Sequence, residues 1–142
     1  PMIYWNAGLA KRMACSDEDK ATLPFLIRDL LALATKAQQE GIRSVQGEPV
    51  VAKNDILVFG FRLLSEGMAL EAFEEILAVL LITGDKLGFE FLKQCLFAET
   101  LLSIAAGDTI DITLRKLAPY CGVERAISLL TILEEENLPG KS

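Results

Sequence analysis

The sequence predicts an all-α fold, a compact bundle of five or six helices. Apolar residues recur at helical spacings of three and four along most of the chain, and the strict apolar-polar alternation of exposed strands is nearly absent. A weak internal repeat of helix-pair length is also present. It aligns LLSEGMALEAFEEILA, from Leu63, with SIAAGDTIDITLRKLA, which begins 40 residues later at Ser103. In each copy a helix stops at a glycine, Gly67 or Gly107, and the next helix has an acidic residue in its first turn.

Composition and charge indicate one globular domain. The 142 residues are 51% hydrophobic and 24% charged, which suffices for a single core. We expect an irregular leader over residues 1–21, one helical domain over 22–138 and a tail over 139–142. The net charge of −6 argues against a nucleic-acid partner, which would require clustered lysines and arginines. The same charge favours a partner with a basic surface, but solubility alone is the simpler explanation on a small protein.

Cysteine usage and hydropathy predict a cytoplasmic protein without a membrane span. Cys15, Cys95 and Cys121 are odd in number and lack metal-ligand spacing, so we expect reduced thiols, mostly buried. The first residues lack the charged and apolar regions of a secretory signal. The longest strongly apolar run, residues 76–82, is far shorter than the roughly 20 residues that span a bilayer.

The first half of the domain contains two predicted helices. Thr22 as N-cap and a proline in the first turn begin a long amphipathic helix that ends near residue 40, before Gly41. Residues 41–53 are predicted to be a loop with one extra turn. Asn54 or Asp55 then caps a second helix, which ends at Gly67.

The second half contains the remaining helices. They are predicted over residues 70–83, 86–106 and 109–118. Asp108 or Thr109 is the predicted N-cap of the 109–118 helix. A last helix runs from Val123 to about Asn137, before a Leu-Pro-Gly stop. The residues of the 70–83 helix expected to face inward are Phe73, Ile76, Leu77 and Leu80.

Residues that could carry catalysis are few. The chain has no histidine, which removes the usual base of a serine or cysteine triad and the commonest zinc ligand. It also lacks both glycine-rich phosphate-binding motifs. We therefore predict no catalytic, cofactor-binding or metal-binding residues and no enzymatic activity. Glu74 with Glu75, and Asp108 with Asp111, are neighbouring carboxylates, so a small enzyme or ligand-binding bundle stays open as an alternative.

Arg62 interrupts the apolar run from Ile56 to Leu64. A surface arginine near a helix C-terminus explains it, because a cation is favourable beside the carbonyl end of the helix dipole. The functional alternative is a contact with a partner protein.

Three segments resemble the cytoplasmic part of the flagellar stator A subunit, MotA, of the MotA/TolQ/ExbB group. The segment LLALATKAQQEGI, residues 30–42, is similar to the stretch after that family's second membrane helix. RLLSEGMALEAFEEIL, residues 62–77, is similar to the segment just downstream, and ETLLSIAAGDTIDITLRKL, residues 99–117, to the tail after the fourth membrane helix. The family's intervening membrane helices are missing, because residues 83–85 join the segments directly. The chain is either a natural relative without membrane helices or a fusion of cytoplasmic parts.

The resemblance implies a protein-interaction module that docks to a flagellar rotor switch protein at the inner face of the inner membrane. By residue match, Arg62 and Glu74 are the partner-binding candidates, and a one-residue offset in the match adds Glu71 and Glu75. Residues 103–120 also resemble the helical docking domains of the type II secretion platform protein. That second family, and a homo-oligomerising bundle, remain alternatives.

Overall fold

In the computed structural model, which describes residues 7–136, every regular element is helical. The α-helices in chain order are α1 (Ala7–Met13), α2 (Asp17–Lys20), α3 (Leu23–Glu40), α4 (Pro49–Ala52), α5 (Asp55–Ser65), α6 (Leu70–Thr83), α7 (Gly88–Ala105), α8 (Ile110–Leu117) and α9 (Val123–Glu135). Two 3-10 turns, Ile42–Val45 and Ala118–Cys121, follow α3 and α8. The all-α prediction is confirmed for the described residues. The division is finer than five or six helices, because short helices form outside the long ones.

Helix α7 is the centre of the domain. It packs against α1, α3, α5, α6 and α8. Its buried residues lie on all sides of the helix, as expected of a helix that neighbours enclose. The core therefore forms around α7, while α6 packs mainly on α7 and only slightly on α5. One side of α6 is left at the surface.

The ends of the long helices follow the sequence predictions closely. Helix α3 begins just after Thr22 and ends at Gly41, and α6 covers the predicted residues 70–83. The Thr22 hydroxyl does not cap α3 as predicted, because it donates to the Asp19 carbonyl instead. The prediction of an irregular leader is wrong for residues 7–13 and 17–20, which form α1 and α2. The Leu-Pro-Gly stop and the proposed tail lie outside the described residues.

Gly67 and Gly107 end their helices with the same backbone geometry. Their φ angles are 76° and 72°, in the left-handed region that glycine adopts without steric cost. The backbone N–H of the following residue donates to a carbonyl five residues earlier, at 3.4 Å for Met68 and 3.1 Å for Asp108. The next helix begins three residues after each glycine. Each stop therefore satisfies helix carbonyls that would otherwise lack partners.

Helices α5 and α7 approach closely at Gly60. A Cβ atom added there would lie 2.4 Å and 2.8 Å from the two Cδ atoms of Leu101 and 3.1 Å from its Cγ. Leu101 is fully buried. The missing side chain at position 60 therefore makes room for the leucine on α7.

Arg12 of α1 holds the connection between α6 and α7. Its guanidinium donates to the carbonyl oxygens of Ile82, Gly84 and Lys86, at 3.5, 3.1 and 3.2 Å. The same group lies over the ring of Phe91, 3.9 Å from its centroid. Carbonyl acceptors in the last turn of α6 and in the connection after it thus bind a charged donor, and α1 is anchored to the domain.

Candidate functional site

Arg62, the first sequence candidate, lies on the surface in the last turn of α5. Its side chain is 75% exposed, and its Nε donates to the Glu66 carboxylate at 3.4 Å. An exposed pair one helical turn apart contributes only about 0.3–0.5 kcal/mol. The guanidinium is therefore weakly held by its own helix and accessible to another molecule.

The three acidic candidates lie together on the first two turns of α6. Glu71, Glu74 and Glu75 have the i, i+3 and i+4 spacing that places side chains on one side of a helix. Glu71 and Glu75 are exposed and Glu74 is half-buried. No cation among residues 7–136 pairs with any of the three. The one-residue offset in the sequence match therefore matters little, because each choice places a carboxylate on the same side of α6.

The outward side of α6 changes from acidic to apolar along the helix. At about 100° per residue, Glu71, Glu75, Val79 and Ile82 fall within about 80° of arc. Val79 is 58% and Ile82 57% exposed, and Leu87, just beyond the helix, is 67% exposed. We call this set of residues (71, 75, 79, 82 and 87) the α6 stripe. Two unpaired carboxylates and three exposed apolar side chains make it up.

Sequence reasoning identified only the acidic half of the α6 stripe. It also placed Leu80 in the core, which is wrong: Leu80 is 38% exposed, and Leu81 is buried instead. Ile76, also expected inside, is only half-buried. The apolar half could have been predicted from the helical spacing, because Val79 and Ile82 fall on the same side of the helix as Glu71.

The second carboxylate pair belongs to the structure of the α7–α8 corner. Asp108 accepts hydrogen bonds from the Ser103 hydroxyl at 2.7 Å and from the Lys116 ammonium. The Ser103 hydroxyl also lies 2.8 Å from that of Thr113. Burial raises the pKa of Asp108, but the hydrogen bonds from Lys116 and Ser103 and the lysine charge outweigh burial, so the pKa is lowered. A carboxylate held in its ionised form is a poor general acid.

Thr109 supplies the N-cap of α8, as one of the two predicted alternatives. Its hydroxyl accepts from the backbone N–H of Ile112 at 3.2 Å, whereas Asp108 binds side chains instead. Asp111 pairs with Arg115 one turn further along α8. Both members of the Asp108–Asp111 pair therefore have structural partners.

The cavity beside this corner is small and mostly apolar. Its volume is about 100 Å³, and Asp108 and Thr113 contribute polar groups to walls formed by α3, α7 and α8. Glu74 and Asp111 do not line it. Ligand pockets for drug-sized molecules typically measure about 300–1,000 Å³. The ligand-binding alternative would need a deep polar pocket at Glu74 or Asp111. This cavity is not such a pocket.

The cysteines are free thiols. Cys95 and Cys121 are buried and Cys15 is half-buried. Burial raises the pKa of all three, to about 12 for Cys95, where the nearby Arg12 charge opposes the increase. Thiolate chemistry is thereby suppressed at neutral pH.

The fold and surface define an all-helical domain with an acidic and apolar outer helix. Comparison with known proteins found no matching family model, curated protein or solved structure. In the described part of the chain, no helix combines the length and apolarity that a bilayer crossing requires. Among residues 7–136, no group of three His, Cys, Asp or Glu side chains is arranged to hold a metal ion.

Proposed function

We propose that this protein is a non-catalytic, cytoplasmic protein-interaction module that binds a rotor or motor component through Arg62, Glu71, Glu74 and Glu75. The observation that carries the proposal is the acidic cluster of α6. Carboxylates without a cation of their own are available to pair with a basic partner, and complementary charge speeds and orients association. The resemblance to stator cytoplasmic segments suggests a flagellar rotor switch protein as that partner. The matching stops at Gly67 and Gly107 support a duplicated helix pair.

Binding to a purified rotor switch protein tests the proposal. We expect Arg62→Glu, and separately Glu74→Lys, to weaken the complex by roughly tenfold in isothermal titration calorimetry. Arg62→Glu removes the cation proposed to contact the partner, and Glu74→Lys places a cation opposite the partner's basic surface. Arg62→Glu should cost no more than about 1 kcal/mol of stability, since it replaces a weak exposed pair and a favourable dipole contact with repulsion from Glu66 at the surface. Arg43→Glu is the matched control, because Arg43 is also exposed and lies on a different element.

Two results would count against the proposal. Equal weakening by Arg43→Glu would show that net charge, not the proposed surface, controls binding. The absence of a complex between the unaltered protein and the rotor switch protein would refute that partner.

A further inference from the structure

The α6 stripe has the chemistry of a docking site for one kind of partner. We propose that it binds an amphipathic helix of another protein, running antiparallel to α6, with apolar residues near its N-terminus and lysines or arginines near its C-terminus. The inference rests on the proposed function only in treating the protein as an interaction module. It adds the apolar half of the surface and the form of the partner.

The apolar half supplies contact area. Val79 and Ile82 are each more than half exposed on adjacent turns of α6, and Leu87, five residues after Ile82 in the chain, is exposed as well. Exposed apolar groups gain about 25 cal/mol per Å² when they leave water. Side chains at this spacing accept an apolar helix face whose residues recur every three or four positions.

The acidic half sets the charge and the direction of the partner. Glu71 and Glu75 lie toward the N-terminus of α6, so the partner's cations must lie at that end. In an antiparallel partner this end is its C-terminus, where lysine and arginine also favour its own helix dipole. A parallel partner would need its cations at its N-terminus, where the dipole opposes them. Charge complementarity thus selects a basic antiparallel helix.

A second copy of the chain fits the stripe poorly. In a fully overlapping antiparallel α6 pair, Glu71 and Glu75 of each copy would face Val79 and Ile82 of the other, which desolvates carboxylates against apolar groups. In a parallel pair the same carboxylates would face each other and repel. Neither arrangement satisfies both halves of the stripe.

Synthetic helical peptides of about 18 residues, long enough to cover α6, provide the test. One peptide carries an apolar stripe with lysines and arginines in its last two turns, the second carries them in its first two turns, and the third replaces them with glutamates. We expect fluorescence anisotropy to give at least tenfold tighter binding for the first peptide than for the third, and several-fold tighter binding than for the second. Equal binding of all three, or no binding, would refute the proposal.

Variants of the protein locate the site. Val79→Ser combined with Ile82→Ser should weaken the first peptide roughly tenfold, because apolar burial is lost. Val123→Ser with Ile127→Ser on α9 is the matched control, since those side chains are 73% and 60% exposed on a different helix. Comparable loss in the α9 variant would show nonspecific apolar binding. A dimer in light scattering that Val79→Ser with Ile82→Ser dissociates would assign the stripe to a second copy instead.

The two proposals fail separately. Peptide binding without rotor-switch binding would leave the stripe assignment and refute the flagellar partner. Rotor-switch binding that Arg62→Glu weakens, but that Val79→Ser with Ile82→Ser does not change, would leave the proposed function and refute the helix-docking inference.

Discussion

The contact between Gly60 and Leu101 gives the sharpest prediction of stability. Gly60→Ala would improve helix propensity by up to about 1 kcal/mol in α5. The new Cβ, however, would lie 2.4 Å from a Cδ atom of a fully buried leucine. Leucine can shift only by displacing its own neighbours, and overpacking of this kind costs about 1–3 kcal/mol. We expect a net destabilisation of roughly 1 kcal/mol.

A double-mutant cycle isolates this contact. Leu101→Ala alone should cost about 2–5 kcal/mol, because it removes buried methyl groups and leaves a cavity. In the double variant the alanine methyl at position 60 enters that space without a clash. The combined loss should therefore be at least about 1 kcal/mol smaller than the sum of the two single losses.

Urea denaturation followed by circular dichroism measures all three variants. Gly47→Ala is the control, since a Cβ at Gly47 meets no atom within 4 Å, and its effect should stay within about 0.5 kcal/mol. Additivity of the two changes within about 0.5 kcal/mol would refute the reasoning. A stabilisation by Gly60→Ala of the full propensity value would refute it as well.

Two further predictions concern ionisable groups. Asp108→Asn should cost about 1 kcal/mol near pH 7. The loss is modest because Lys116 is partly exposed, and water weakens the ion pair that it forms with Asp108. Since the folded pKa of Asp108 is lowered, its stabilisation is present above the unfolded pKa of about 4 and is lost as pH falls through the folded value. Urea midpoints of the two proteins should thus converge as the pH falls below about 4, and a constant gap would contradict this. Mass spectrometry after brief thiol labelling should find Cys15 modified first and all three cysteines modified in urea; native labelling of Cys95 at the rate of Cys15 would contradict the role of burial.

Local sequence was sufficient to predict where most long helices begin and end. Gly41 ends α3 and residues 70–83 form α6, because caps and stops depend on hydrogen bonds within a few residues. For α8 the sequence left Asp108 or Thr109 as the cap, and the structure shows Thr109. The acidic candidates on α6 came from the residue match to the stator family, and their helical spacing places them on one side of the helix. The α1 and α2 helices were missed because their short segments carry little periodicity.

Which helix faces are covered was decided only by the tertiary structure. The sequence of α6 is apolar over most of its second half, so it does not specify whether Leu80 or Leu81 faces the core. Packing on α7 buries Leu81 and leaves Val79 and Ile82 in water. Arg12 likewise acquires its role only when the fold brings it to carbonyls about 70 residues away in the chain. Helix formation depends on local hydrogen bonds, whereas a surface depends on which other elements remove a side chain from water.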